Sequence, residues 1–428
     1  MIQRFAFTVL VAAAFAGYAQ SLPKPDMIVA ADGSGDFKTV QAAVAAITRT
    51  NRERTVVFIK DGVYHEKVRV DASFVTLRGE SRKGTRIEFP QLNDDFNKSP
   101  DPLGRAVLNV NGDDFVLENL TAENTAGQVG PHAFTIYGKG DRTVIVNCDL
   151  LSHGADTVSL WLGDRGRYYH ANCNFRGSVD FVCPRGWCYA TNCTFYEMKP
   201  GSATVWHDGS AARDQKFVLR DCRFDGTNGW VLGRHHLDAQ FYFLDCKFAA
   251  TMADRPIKRV LYPLDGKTPS QADTKKNKEN DARNLWGERN YFWNCHRDGA
   301  DFAWHSNNLS TATGAPKPEQ ITAAWTFANT WNPERTDGPV IKQVKIGENQ
   351  VTVTFSEPVT VKGKPRVTIR AGRMADYVSG SGSDVLVFKL APGSTQGVPV
   401  LDLNGGAIIA SEAGASLRCA TGSLAAVK

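Results

Sequence analysis

Beyond its first seventeen residues the sequence contains no long apolar run, so no later segment has the length of an apolar membrane-spanning helix. It also lacks a clustered basic stripe with interleaved aromatics, which removes nucleic acid as an expected partner. Its 50 Lys and Arg against 45 Asp and Glu give a net charge of +5, spread along the chain except for one short run at DTKKNKEN. No acidic cluster of the calcium-holding kind is present, and no metal or other cofactor is expected. The one apolar run is at the start, MIQRFAFTVLVAAAFAGYAQ, where Arg4 precedes an apolar core and Gly17 and Ala19 stand at cleavage spacing. It reads as an export leader, residues 1–19, and no cysteine follows it to take a lipid. A soluble, monomeric, secreted or periplasmic protein is the expectation.

What the chain does have is a repeat. Six of its nine cysteines share one setting, VNCDL, ANCNF, TNCTF, RDCRF, LDCKF and WNCHR. These are Cys148, Cys173, Cys193, Cys222, Cys246 and Cys295, spaced by 25, 20, 29, 24 and 49 residues, the last about two periods. Each follows Asn or Asp, and four precede Phe by two positions. Short apolar segments at this period, separated by polar turns, predict a parallel β-solenoid in which each coil contributes strands to ladders running up the stack. Cysteine, a small hydrophobe, suits the crowded interior of such a coil. Cys183 and Cys188 are close enough in sequence for a local bridge, which the spacing leaves open, and Cys419 stands alone.

Two segments depart from the repeat. In SGDFKTVQAAVAAITR, Val40, Ala43, Val44 and Ile47 recur at helical spacing, with Asp36 or Ser34 as the expected cap; a short amphipathic helix there would close one end of the solenoid. Beyond Pro339, QVTVTFSEPVTV, RVTIRA and DVLVFKLAP alternate with period two between Gly, Ser and Pro turns, which predicts a small β-sandwich after a short polar linker. The expected organisation is a leader at 1–19, an all-β solenoid domain at 20–335 and a sandwich at 336–428.

Solenoid geometry turns spacing into proximity, because neighbouring coils lie ~4.8 Å apart. Asp156, in HGADTVSL, precedes Asp180, in RGSVDFVC, by 24 residues, about one coil; Arg234, in VLGRHH, follows Asp180 by 54, about two. The expectation is that all three emerge on one outer face, with Asp180 on an outward strand position and Val179 and Phe181 turned the other way.

From VAADGSGDFKTVQAAVAAI through KDGVYHEKV, LTAENTAG, ADTVSL, GSVDFVC and VLGR to WGER and GADFAW, about residues 28 to 335, the chain resembles the pectin methylesterases, carbohydrate esterases built on a right-handed parallel β-helix. The resemblance implies hydrolysis of methyl esters on pectin. It implies Asp180 as nucleophile, Asp156 as general acid and base, and Arg234 as the residue holding the nucleophile. An adjacent guanidinium would lower the Asp180 pKa and keep it ionised, while the second carboxyl of a close pair keeps its proton.

Several positions depart from the family pattern. Ala155 and His132 stand where the family carries glutamines that hold the negative oxygen of the intermediate. His132 is the candidate replacement donor, with His153 as a substitute. His236 replaces a Trp, Cys183 replaces an aromatic, and TVWHDGS, with Trp206 and His207, replaces T-A-Q-G-R. Trp161, Trp187 and Trp206, together with Phe181, His207 and His236, are the candidate substrate contacts. The region from about 340 onward resembles bacterial immunoglobulin-like modules. Three alternatives stay open: an esterase acting on another polysaccharide ester, a lyase or glycosidase on the same scaffold, and a non-catalytic polysaccharide-binding protein.

Overall fold

The computed structural model describes residues 24–208, 212–264, 266–312, 314–369, 373–392 and 399–420. The expected leader, residues 1–19, lies outside them. Three parallel sheets form the walls of a β-helix. One has ten strands, from Met27–Val29 to Arg289–Trp293; a second has eight, from Val68–Val70 to Lys258–Arg259; a third has nine, from Gly62–His65 to His296–Arg297. Within each wall, neighbouring strands come from successive coils.

The repeated Asn/Asp–Cys pair is the corner between the ten-stranded and nine-stranded walls. Asn147, Asn172, Asn192, Asp221, Asp245 and Asn294 all have φ between 48° and 55°. Among residues other than glycine, Asn and Asp enter this left-handed region most readily, which is why they precede each cysteine. Their side chains bond from coil to coil, as in Asn147 Nδ2 to Asn119 Oδ1 at 2.8 Å and Asn294 Nδ2 to Asp245 Oδ1 at 2.7 Å. The cysteine then turns inward. Cys173 Sγ lies 3.4 Å from the Ile145 carbonyl and Cys246 Sγ 3.3 Å from that of Leu219, each in the coil before. Two residues on, Phe175, Phe195, Phe224 and Phe248 form an aromatic ladder through the core, with centroids 4.5 to 5.7 Å apart. All nine cysteines are free, so Cys183 and Cys188 do not bridge; they lie on different walls, in Val182–Pro184 and Trp187–Thr191.

The predicted end helix is Val40–Ala45, with Val40, Ala43 and Val44 buried. Its cap differs from expectation. Thr39 accepts from Ala42 N, and Glu66 accepts from Val40 N and Gln41 N, while Asp36 instead accepts from Ile28 N.

The C-terminal region is a separate antiparallel unit, a curled sheet with seven strands among the described residues. The long strand Gln350–Lys362 pairs with Ile341–Ile346, Ser383–Leu390 and Ala407–Ala410, and a register shift between Thr354 and Val359 lets it pass from one side of the curl to the other. Val351, Val353, Phe355, Leu386 and Phe388 fill its interior. This unit is docked on the helix. Arg54, 2% exposed, donates from Nε and Nη2 to the Ser411 carbonyl, from Nη1 to Thr76 Oγ1 and from Nη2 to the Asp114 carbonyl. Lys362 Nζ pairs with Asp26 at 2.7 Å.

Arg54 ties the two units through otherwise unsatisfied buried acceptors. Arg54→Ala should therefore destabilise the full chain by about 3 kcal/mol. Urea unfolding would show this as a lower midpoint, and limited proteolysis as faster cutting between the units; an unchanged midpoint would contradict it.

Candidate active site

The eight-stranded wall carries the candidate site. Its register places Val158 beside Val182, Val182 beside Val205 and Trp206 beside Arg234. Asp156 and Asp180 each stand two residues ahead of their strands, Val158–Leu160 and Val182–Pro184, and so occupy the same corner of adjacent coils. Asp180 is not on a strand, as the sequence suggested. It sits in a bend with φ 57°, directly after Val179 at φ 49°, and Asp156 has φ 60°. A left-handed β-branched residue is strained, and such strain is held only where its surroundings fix it. Here Asp180 N donates to the Ala203 carbonyl at 2.6 Å and Asp156 N to the Val179 carbonyl at 3.3 Å.

Arg234 grips Asp180 through Nε, 2.9 Å from Oδ1 and 3.0 Å from Oδ2, and through Nη2, 2.7 Å from Oδ2. Asp180 is only 1% exposed. Burial pushes its pKa up to about 6, against the hydrogen bonds and charge of Arg234. The expected lowering by Arg234 alone is thus reversed: loss of water outweighs the ion pair. Burial raises Asp156 further, to about 8, followed by the charge of Asp180; Arg185, the Cys183 thiol and Arg234 oppose it. The expected order holds, with Asp156 keeping its proton after Asp180 has lost its own.

His132 Nε2 lies 3.9 Å from Asp156 Oδ2, and the His132 ring is half exposed. Ala155, bridged through the backbone to His132, offers no side-chain donor. His153 Nδ1 is buried without a partner among the described residues, and the His153 carbonyl accepts from Ser178 Oγ.

The candidate contacts divide. Trp161 directly follows the strand Val158–Leu160, with Nε1 bound to the Cys183 carbonyl at 3.0 Å. The Trp206 ring is 5.6 Å from the Arg234 guanidinium and 4.3 Å from the His236 ring. His236 Nε2 is 2.6 Å from Tyr262 Oη, and Asp208 accepts from His236 N and Leu237 N. Three expectations are corrected. Phe181 is fully buried in the core and presents no face to the cleft. His207 is also fully buried, with Nε2 on the Gly186 carbonyl and its ring against Phe217 and Phe241. Trp187 belongs to the ten-stranded wall, where it packs with Lys216 and the Asp164 carbonyl.

The site also contains groups that the sequence reading passed over. Glu197 is fully buried; its Oε1 accepts from Val179 N at 3.3 Å and Lys199 N at 2.9 Å, and burial raises its pKa to about 8. It braces the strained bend that carries Asp180. Arg185 stacks on Trp161 with its guanidinium 4.1 Å from the ring centre. Its signal was its place two residues after the outward Cys183, in strand alternation. Beside Arg234, a cleft of about 400 Å³ opens among Val179, Arg255, Lys258 and Leu264.

A sequence profile of the pectinesterase family matches residues 26–239, half of the chain, and takes in Asp156, Asp180 and Arg234. A pectinesterase of Petunia integrifolia is 32% identical over 206 residues, 46% of this chain; the chain spans about half of that relative's length, 53%. Two solved structures share the fold. Pectin methylesterase from carrot aligns at TM-score 0.52 and 23% identity over 66% of this chain and 86% of its own. Pectin methylesterase PemA from Erwinia chrysanthemi aligns at TM-score 0.54 and 17% identity over 73% of this chain and 99% of its own. With two carboxyls and a guanidinium gathered at one corner of a parallel β-helix inside the matched region, the chain belongs to the pectinesterase family.

Proposed function

We propose that the protein hydrolyses methyl esters on pectin through an aspartyl acyl-enzyme. The observation that carries this is the placing of Asp180, gripped by Arg234, at the same corner as Asp156 in the preceding coil, where burial raises the Asp156 pKa to about 8. Ionised Asp180 adds to the ester carbonyl carbon, and the carbonyl electron pair moves onto oxygen. The intermediate then expels the methoxy group, which leaves as methanol with the proton of Asp156. Asp156, now a carboxylate, takes a proton from water as that water attacks the acyl-enzyme. The new carboxylate departs and Asp180 is regenerated. None of these steps draws on a metal ion, and His132, Trp161, Trp206 and His236 are the groups placed to meet substrate.

The proposed setting is extracellular or periplasmic, with residues 1–19 as leader, a monomeric chain, and an acidic cell-wall polysaccharide as partner. Among the described residues no helix is long and apolar enough to cross a membrane. The proposed boundary between the catalytic helix and the C-terminal unit falls near residue 335, and the period-two strands of that unit support an immunoglobulin-like relationship.

Highly methylated pectin should release methanol and acid without chain shortening, and acetylated pectin should release far less. Asp180→Asn should abolish turnover while leaving the fold intact by circular dichroism; full activity in that variant would rule out Asp180 as nucleophile. The rate needs Asp180 ionised and Asp156 protonated, so it should rise through about pH 6 and fall through about pH 8. A flat profile over that interval would contradict the pair.

Stability gives an independent check. Asp156 has a folded pKa above its unfolded value, so above about pH 4 unfolding releases a proton that the folded chain retains, and stability is lost as pH rises toward 8. Asp156→Asn removes this cost. At pH 8 it should be more stable than the wild type by ~1 kcal/mol or more and melt at a higher temperature, with the gap closing below about pH 4. Equal melting temperatures at pH 8 would show that the carboxyl is not buried protonated.

A further inference from the structure

The intermediate proposed above places a full negative charge on what was the carbonyl oxygen, and an esterase needs a donor fixed at that point. The obvious candidates are already committed. Arg234 directs Nε and Nη2 at Asp180. Ala155 has only a methyl group. His236 is held between Tyr262 Oη and Asp208. Among the described residues Trp206 Nε1 has no partner, but it is closed off from solvent, so no substrate oxygen reaches it. His132 is half exposed, and burial lowers its pKa, which leaves it a neutral donor at the rim.

Arg185 is different. Its backbone is locked, with N on the Leu160 carbonyl and its own carbonyl taking Gly163 N, both at 2.8 Å. Its guanidinium lies flat against Trp161 at 4.1 Å and faces Trp206 at 5.8 Å. Trp161 is itself pinned by its indole bond to the Cys183 carbonyl. Yet among the described residues the guanidinium has no hydrogen bond and no carboxylate partner. A cation stacked on an aromatic face, partly withdrawn from water and left with its donors free, is arranged for an anion that arrives later. Its charge already reaches the site, since it is the strongest of the influences holding down the Asp156 pKa.

We propose that Arg185 is the oxyanion donor of this enzyme, a catalytic residue that replaces side-chain amides with a stacked guanidinium. As Asp180 bonds to the carbonyl carbon, the displaced electron pair settles on oxygen and takes hydrogen bonds from Arg185. When that pair re-forms the double bond, the carbon–methoxy bond breaks and methanol leaves with the Asp156 proton. This role rests on the esterase reading.

The test uses the full chain with highly methylated homogalacturonan. Arg185→Gln should lower kcat about a hundredfold with little change in KM, because the interaction forms only as charge develops. Arg185→Lys should recover part of the rate, and guanidinium chloride at millimolar concentration should partly rescue Arg185→Ala, which a purely structural role would not allow. A raised KM with unchanged kcat, or normal turnover by Arg185→Gln in a wild type that releases methanol, overturns the oxyanion role alone. A second readout needs no turnover. Asp156 is faced by Asp180, Arg234, Cys183, His132 and Arg185; removing only the last should move its carboxyl titration, followed by carbon NMR, to higher pH. An unmoved titration overturns the proposal. A wild type that releases no methanol, while this titration still moves, overturns the esterase reading and the oxyanion role with it.

Discussion

Burial of two carboxyls at equivalent corners of neighbouring coils is the constraint around which the site is arranged. A parallel β-helix repeats its backbone from one turn to the next, so whatever stands two residues ahead of one strand is stacked on its counterpart in the next. Asp156 and Asp180 are such counterparts. Neither can be hydrated, since both are almost wholly enclosed, and both cannot ionise together at low cost. Arg234 breaks the symmetry by committing its fork to Asp180 alone. The two acids thereby acquire different pKa values from nearly identical backbone settings, which is the division of labour that the proposed acyl transfer requires.

The same corner explains the strain. Left-handed backbone is inexpensive for the Asn and Asp of the cysteine corners, and those residues recur there. At the catalytic corner the left-handed pair is Val179 and Asp180, and valine has no such tolerance. The bend is held from below by the Ala203 carbonyl and from the side by Glu197. Rigid coils on either side thus keep a conformation that an isolated loop would relax, and Asp180 is aimed by the stack rather than by its own preference.

Much of this was legible in the sequence because it depended on period. The coil repeat, the inward cysteines and phenylalanines, the end helix and the period-two strands of the C-terminal unit follow from spacing and polarity. The spacings of Asp156, Asp180 and Arg234, near multiples of the coil, suggested a shared face, and the resemblance to the pectin methylesterases singled them out from other charges. What escaped was whatever depended on direction rather than period. Phe181 and His207 neighbour site residues but are buried in the core, one just before the strand Val182–Pro184 and the other just after Ala203–Trp206. Trp187 is seven residues from Asp180, yet the chain has turned a corner between them and put it on another wall. Arg185 and Glu197 carry no motif; packing shows that, among the described residues, the first has no carboxylate partner and the second braces the bend. The pKa of Asp180 was misjudged because pairing is visible in a sequence and desolvation is not.

The position of the C-terminal unit narrows what it can do. Its contacts run through Arg54, Ser411, Asp26, Asp114 and Ala413, beside the ten-stranded wall near the capped end. The acids lie on the eight-stranded wall. Because Arg54 binds acceptors on both units and Lys362 reaches across to Asp26 and the Arg54 carbonyl, the curled sheet is held against the first coils rather than carried on a free tether. A unit so placed protects the strands at the start of the stack, where Thr55–Ile59 pairs with only the short Met27–Val29 on its outer side.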